Sequence, residues 1–68
     1  MEIPKEIFRK AYTIINQINF EDYPEDDWIG LSDDWDLNMF IDGDGRRCAV
    51  IYPVIDGNTN VQEGFHIQ

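Results

Sequence analysis

"WDLNMFIDGDGRRCAVIYPV", Trp35 to Val54, places two alternating apolar–polar stretches on either side of a glycine-rich break. Trp35, Leu37, Met39 and Ile41 alternate with Asp36, Asn38, Phe40 and Asp42, the period-two pattern of a half-buried strand. Arg47 to Val54 repeats the alternation, with Cys48, Val50, Tyr52 and Val54 on one face. Between them, Asp44-Gly45 reads as a two-residue hairpin turn. That turn opposes Ile41 to Cys48, Met39 to Val50, Leu37 to Tyr52 and Trp35 to Val54, with Asp42 facing Arg47 outside. Every inward pair is then apolar, and a one-residue slip would move one strand's apolar set to the other face. This register predicts a buried Cys48.

Downstream, a second turn lies in Asp56-Gly57-Asn58-Thr59, and Val61 to Gln68 reads as a third strand. Pairing Val54 with Val61 brings Val50 to Phe65 and Cys48 to Ile67, and sets Glu63 inward beside Tyr52. Upstream, residues 3–18 read as an amphipathic helix. Ile7, Phe8, Ala11, Tyr12, Ile14, Ile15 and Ile18 recur at three- and four-residue spacing. Pro4 suits the first turn, Glu6 complements the positive end of the dipole, and Asn19 is the expected stop. Lys5, Arg9, Thr13 and Gln17 form the opposite, solvated face. The expected fold is α+β: one helix across a three-stranded antiparallel meander, in the order αβββ, as one domain over residues 1–68. Phe20, Tyr23, Trp28, Ile29 and Leu31 fall in the helix-to-sheet connection, where Pro24 to Asp27 is read as the start of a short helical turn ended by Gly30. Trp35, Phe20 and Trp28 are expected in the core.

The charge of this connection stands out. The net charge is −9 over 68 residues, yet residues 21–44 alone hold ten acids and no Lys or Arg. Residues 1–20 sum to +1 and residues 45–68 to zero. Clustered like charge weakens a compact state through self-repulsion, so stability does not explain the block. Its core, "FEDYPEDDWIGLSDDWD" (Phe20 to Asp36), adds four aromatic residues to eight acids. A disordered acidic tail would lack those aromatics.

Chemistry finds little support. Asp34-x-Asp36-x-Asn38 begins like a calcium loop, but Met39 stands where Gly is needed and Gly45 where Glu is needed. Asp42-x-Asp44 fails likewise, since Arg46 and Arg47 follow. Cys48 and His66 are the sole pair for nucleophilic catalysis, and the predicted register puts them on opposite faces. A single cysteine excludes an intramolecular disulfide and a multi-cysteine zinc site. No catalytic residue, metal ligand or cofactor is expected. The start, Met1 to Lys5, lacks a signal-peptide pattern and no stretch reaches membrane-spanning length, which points to a cytoplasmic protein.

Two functional readings suit the acid–aromatic segment. Its carboxylates can imitate phosphates: Asp34 and Asp36 on one strand face would lie about 6.8 Å apart. Alternatively, they steer a basic protein that Tyr23 and Phe40 anchor. A basic target that itself binds nucleic acid satisfies both. The candidate contact residues are Glu21, Asp22, Tyr23, Glu25, Asp26, Asp27, Asp33, Asp34, Asp36 and Phe40.

In size, acidity and αβββ layout the whole chain resembles the small phage-encoded anti-CRISPR proteins, including those that act on a type I-C effector complex. No diagnostic motif carries the resemblance. It implies a non-catalytic inhibitor, acting as a monomer in the cytoplasm of the bacterial host. Such an inhibitor occupies the basic DNA-recognition surface of a Cas subunit by DNA mimicry and does not itself bind nucleic acid or membrane. The alternatives are an antitoxin or immunity protein that neutralises a basic toxin or nuclease, and an acidic accessory subunit of a larger complex.

Overall fold

A computed structural model describes residues 2–68, with Phe20 described in its backbone alone; the expectation of a core Phe20 side chain lies outside the described residues. The first element is helix α1, Lys5–Gln17. It starts at Pro4, whose carbonyl accepts from the Ile7 and Phe8 amides at 3.0 and 3.3 Å. Ile7, Ala11 and Ile15 are buried, and Phe8, Ile14 and Ile18 pack around them. The apolar stripe therefore faces the core as its spacing predicts. The helix ends at Ile18, which turns extended (φ −88°, ψ 124°), before Asn19.

The fold is α+β, with strands β1 (Asp26–Ser32), β2 (Trp35–Ile41), β3 (Arg47–Ile55), β4 (Asn58–Thr59) and β5 (Phe65–His66). The sheet is antiparallel throughout, in the order β1-β2-β3, with β4 and β5 both on the far edge of β3. It has more strands than the three expected, for two reasons. The connection expected to be irregular contains β1, which pairs Asp27 with Met39 and Ile29 with Leu37. A short 3₁₀ turn does form, but over Phe20–Asp22, ahead of Pro24. The expected third strand is split into β4 and β5 by another 3₁₀ turn at Val61–Glu63.

The central hairpin forms with a register one residue away from the predicted one. Met39 opposes Ala49, Leu37 opposes Ile51, and Trp35 opposes Pro53. The cause lies in the turn. Asp42 N–H donates to the Arg46 carbonyl at 2.9 Å and Gly45 N–H to the Asp42 carbonyl at 3.0 Å, so the loop is Gly43-Asp44-Gly45. Its last residue has φ +78°, the left-handed residue of a type I turn with a G1 bulge. Asp42 holds the loop through its carboxylate, which accepts from the Asp44 and Arg46 amides, each at 2.9 Å. It pairs with Arg46, at 3.9 Å, where Arg47 was expected. The second hairpin has the two-residue form: Asp56 and Gly57, at φ 53° and 79°, join Ile55 to its partner Asn58 in a type I′ turn.

The extra loop residue exchanges the faces of β3. Ala49, Ile51 and Pro53 face the helix, whereas Cys48, Val50, Tyr52 and Val54 face away. The buried cluster gathers Ile7, Ala11 and Ile15 against Leu31, Trp35, Leu37, Met39, Ala49 and Ile51. Cys48 is thus a half-buried thiol on the outer face, which corrects its predicted place beneath the helix. The last strand also differs in register: Val50 pairs with His66 where Phe65 was expected, and Ile51 with Phe65, which still turns towards the helix, while Glu63 falls in the 3₁₀ turn instead of pairing beside Tyr52. Phe65 meets the Phe8 ring edge-on at 5.6 Å. Among the described residues no helix is long and apolar enough to cross a membrane.

Candidate functional site

The acidic segment becomes the free edge of the sheet. Strand β1 pairs with β2 alone, and its alternation sends Asp26, Trp28 and Gly30 to the outer face, opposite Phe40, Asn38 and Asp36. The helix covers the other face only. Seven residues of strand put its two ends about 20 Å apart. Glu21, Asp22, Glu25, Asp26 and Asp27 lie before or at the first end, near Phe40; Asp33 and Asp34 lie in the turn at the second, beside Asp36. The eight acidic candidates therefore form two groups with the strand between them. Asp34 sits in the turn and only Asp36 belongs to β2, so the expected pair on one strand face is not formed.

Between the groups lies an aromatic platform. Trp28 and Tyr52 project from the strands that flank β2, and their rings stack above it at 5.4 Å with 30° between planes. Trp28 remains 46% exposed, so the core position expected for it is replaced by an outward one. Phe40 is half-buried on the same face. Beneath the rings Asn38 is buried, and its amide donates to Asp26 Oδ1 at 2.8 Å and to the Asp27 carbonyl at 3.0 Å. On the far side Thr59 donates to Asp36 Oδ2 at 2.5 Å. Asp26 and Asp36 are each held by a neutral donor. Among the described residues the ion pairs are those of Arg46 with Asp42 and Asp44, in the hairpin loop.

Tyr23 has a different role from the surface anchor expected of it. It is buried, its hydroxyl donates to the Cys48 carbonyl at 2.8 Å with Gln68 Oε1 a second acceptor within reach at 3.2 Å, and Arg47 lies 5.4 Å over its ring. Burial pushes its phenol above the ordinary range, partly offset by the Arg47 charge. Tyr23 ties the acidic connection to β3 and the chain's last residue, and has little ring surface to offer a partner.

Cys48 and His66 share the outer face, against the expectation that the sheet separates them. The thiol nevertheless lies 3.8 Å from Asp42 Oδ2 and 3.8 Å from the Arg46 carbonyl. Burial and the Asp42 charge both push its pKa up, the opposite of an activated nucleophile. The Arg46 amide, bonded to the Asp42 carboxylate, leads the effects that hold that carboxyl below its usual value. Among the described residues no three His, Cys, Asp or Glu side chains lie together as a metal site.

The platform was missed because its residues sit far apart in sequence. Trp28 lies in a stretch too irregular in pattern to read as a strand, with acids at its start and Gly30 near its middle. Tyr52 reaches the outer face only through the bulged hairpin. The chain matches no family model, no curated protein and no solved structure.

Proposed function

We propose that the protein is a non-catalytic inhibitor that binds the basic DNA-recognition surface of a nucleic-acid-binding protein, its carboxylates standing in for phosphates. The observation that carries this reading is the free edge β1, with acidic groups at both ends and no basic residue between positions 21 and 44. Duplex DNA carries about one charge per 1.7 Å of axis, so a mimic needs charge spread along a line. An edge strand about 20 Å long with acids at either end supplies such a line. The resemblance to small anti-CRISPR proteins supplies the target class, a Cas effector complex.

The test is DNA binding by a purified type I-C effector complex in the presence of the protein. Loss of target-DNA binding near one equivalent is the expected result. Undiminished DNA binding at saturating protein would sink the anti-CRISPR target, and binding to bare DNA by the protein itself would sink mimicry altogether. The combined neutralisation of Glu21, Asp22, Glu25, Asp26 and Asp27 to their amides is expected to abolish the inhibition. Asp56→Asn with Glu63→Gln should retain it.

A further inference from the structure

We infer that the outer face of the sheet is an arginine-docking platform, on which a guanidinium of a basic partner stacks against Trp28 and pairs with Asp26. The inference rests on the reading of a basic partner and names the group that partner presents. Trp28 stacks on Tyr52 yet keeps 46% of its surface exposed, so the indole is pre-ordered and still accessible. Asp26 lies two residues earlier on the same face of the same strand, about 6.6 Å away along it. Its carboxylate is oriented by Asn38 and forms no ion pair among the described residues.

Charge and shape select the occupant. Among the described strand residues of this face are Asp26 and Asp36 and neither Lys nor Arg, with His66 across on β5; Arg46, in the hairpin loop at its end, is paired with Asp42 and Asp44. An uncharged apolar partner would desolvate both carboxylates with only the Asn38 and Thr59 hydrogen bonds and no countercharge to offset it. A lysine ammonium would pair with a carboxylate but is a compact, strongly hydrated charge. A guanidinium is planar, weakly hydrated and stacks on aromatic faces while its edge donates to a carboxylate in a fork. A preformed Trp–Tyr stack beside an oriented carboxylate matches that group. Tryptophan and arginine are also the residues that most often dominate protein interfaces.

The test uses nona-arginine and nona-lysine as probes on the intact protein at about 0.15 M salt, where long-range attraction is screened beyond about 8 Å. Trp28 and the buried Trp35 give separate indole signals in a nitrogen–proton correlation spectrum. Nona-arginine should shift the Trp28 indole and leave that of Trp35 in place. The substitution Trp28→Leu should weaken nona-arginine binding about threefold, the size of one exposed cation–π contact, and nona-lysine binding less. If both peptides bind with the Trp28 indole unmoved, the platform is overturned while the basic-partner reading survives. If neither peptide binds, both fall. Should Trp28→Leu fail to fold, the wild-type indole shift still decides the matter.

Discussion

Single residues set the geometry of the outer face. Gly64 lies against Tyr52 so closely that a Cβ there would collide with the ring at Cε1 and stand 2.7 Å from Val50 Cγ1. Only glycine lets the chain cross above these side chains and bury Val50 on an otherwise open face. Gly64→Ala is therefore expected to cost about 1–3 kcal/mol, as overpacking does, and to displace Tyr52 from Trp28. Thermal unfolding and the near-ultraviolet dichroism of the stacked rings would read the two effects; an unchanged melting temperature would contradict the close approach. At the hairpin, Asp42 raises the Cys48 pKa by charge and by hydrogen bonding, on top of burial. In the folded protein the thiol should react with a disulfide reagent, since it is half-buried, but with a midpoint at higher pH than an ordinary thiol. Asp42→Asn removes the charge and should move that midpoint down. No movement would mean that burial alone sets it.

At the scale of the element, β1 is an edge strand protected by charge. Unpaired edges invite a second chain, and a second antiparallel copy of β1 would set the acids at one end of the strand, Glu25 to Asp27, beside those at the other, Asp33 and Asp34. The Asp27 carboxylate also covers the Trp28 amide, at 3.0 Å, and Lys10 Nζ caps the Leu31 carbonyl at 2.9 Å from α1. The acids thus have a structural consequence beside the proposed one, and the two can be separated. Neutralising Asp33, Asp34 and Asp36 together should leave the fold intact or slightly more stable, because like-charge repulsion falls and an amide still accepts from Thr59. Single changes such as Asp33→Asn should shift binding by roughly 0–1 kcal/mol at most. Circular dichroism with denaturant titration would check the first claim; collapse of the triple variant would mark these carboxylates as structural. Oligomer formation on neutralising Asp26 and Asp27 together would show that their charge keeps the edge free.

The whole molecule has a radius of gyration of 11.7 Å and a longest extent of 34 Å. At about 3.4 Å per step that extent matches roughly ten base pairs, so a mimic of this size can fill one turn of a DNA-binding channel and no more. The distribution of charge matters as much as its amount. Glu21 to Asp44 carries it, and the nearest helix cation, Lys10 of α1, reaches only the Leu31 carbonyl at the Ser32 end of β1. Binding to a basic target should therefore weaken steeply between about 0.05 and 0.5 M salt, mainly through slower association. An affinity independent of salt over that range would argue for an interface built on Trp28, Tyr52 and Phe40 alone.

Local periodicity is enough to read the helix, the two strands flanking Asp42–Arg46 and the α+β class. The 3.6-residue stripe from Ile7 to Ile18 and the alternation from Trp35 to Ile41 leave one face each to bury. The sequence by itself also located the charge, which is additive along the chain. The register of the central hairpin was not local. Gly43, Asp44 and Gly45 support both a two-residue and a three-residue loop, and Arg47 to Val54 is apolar enough on both faces to satisfy either. Tertiary packing chose the bulged loop, setting Ala49, Ile51 and Pro53 against the helix and Tyr52 outside. Strand β1 was hidden for a similar reason: its acids and Gly30 disfavour a strand locally, and pairing with β2 overrides them. The stacked Trp28 and Tyr52 required both decisions at once. Neither ring carries a signal of the other in the sequence, because the contact exists only after three strands are aligned side by side.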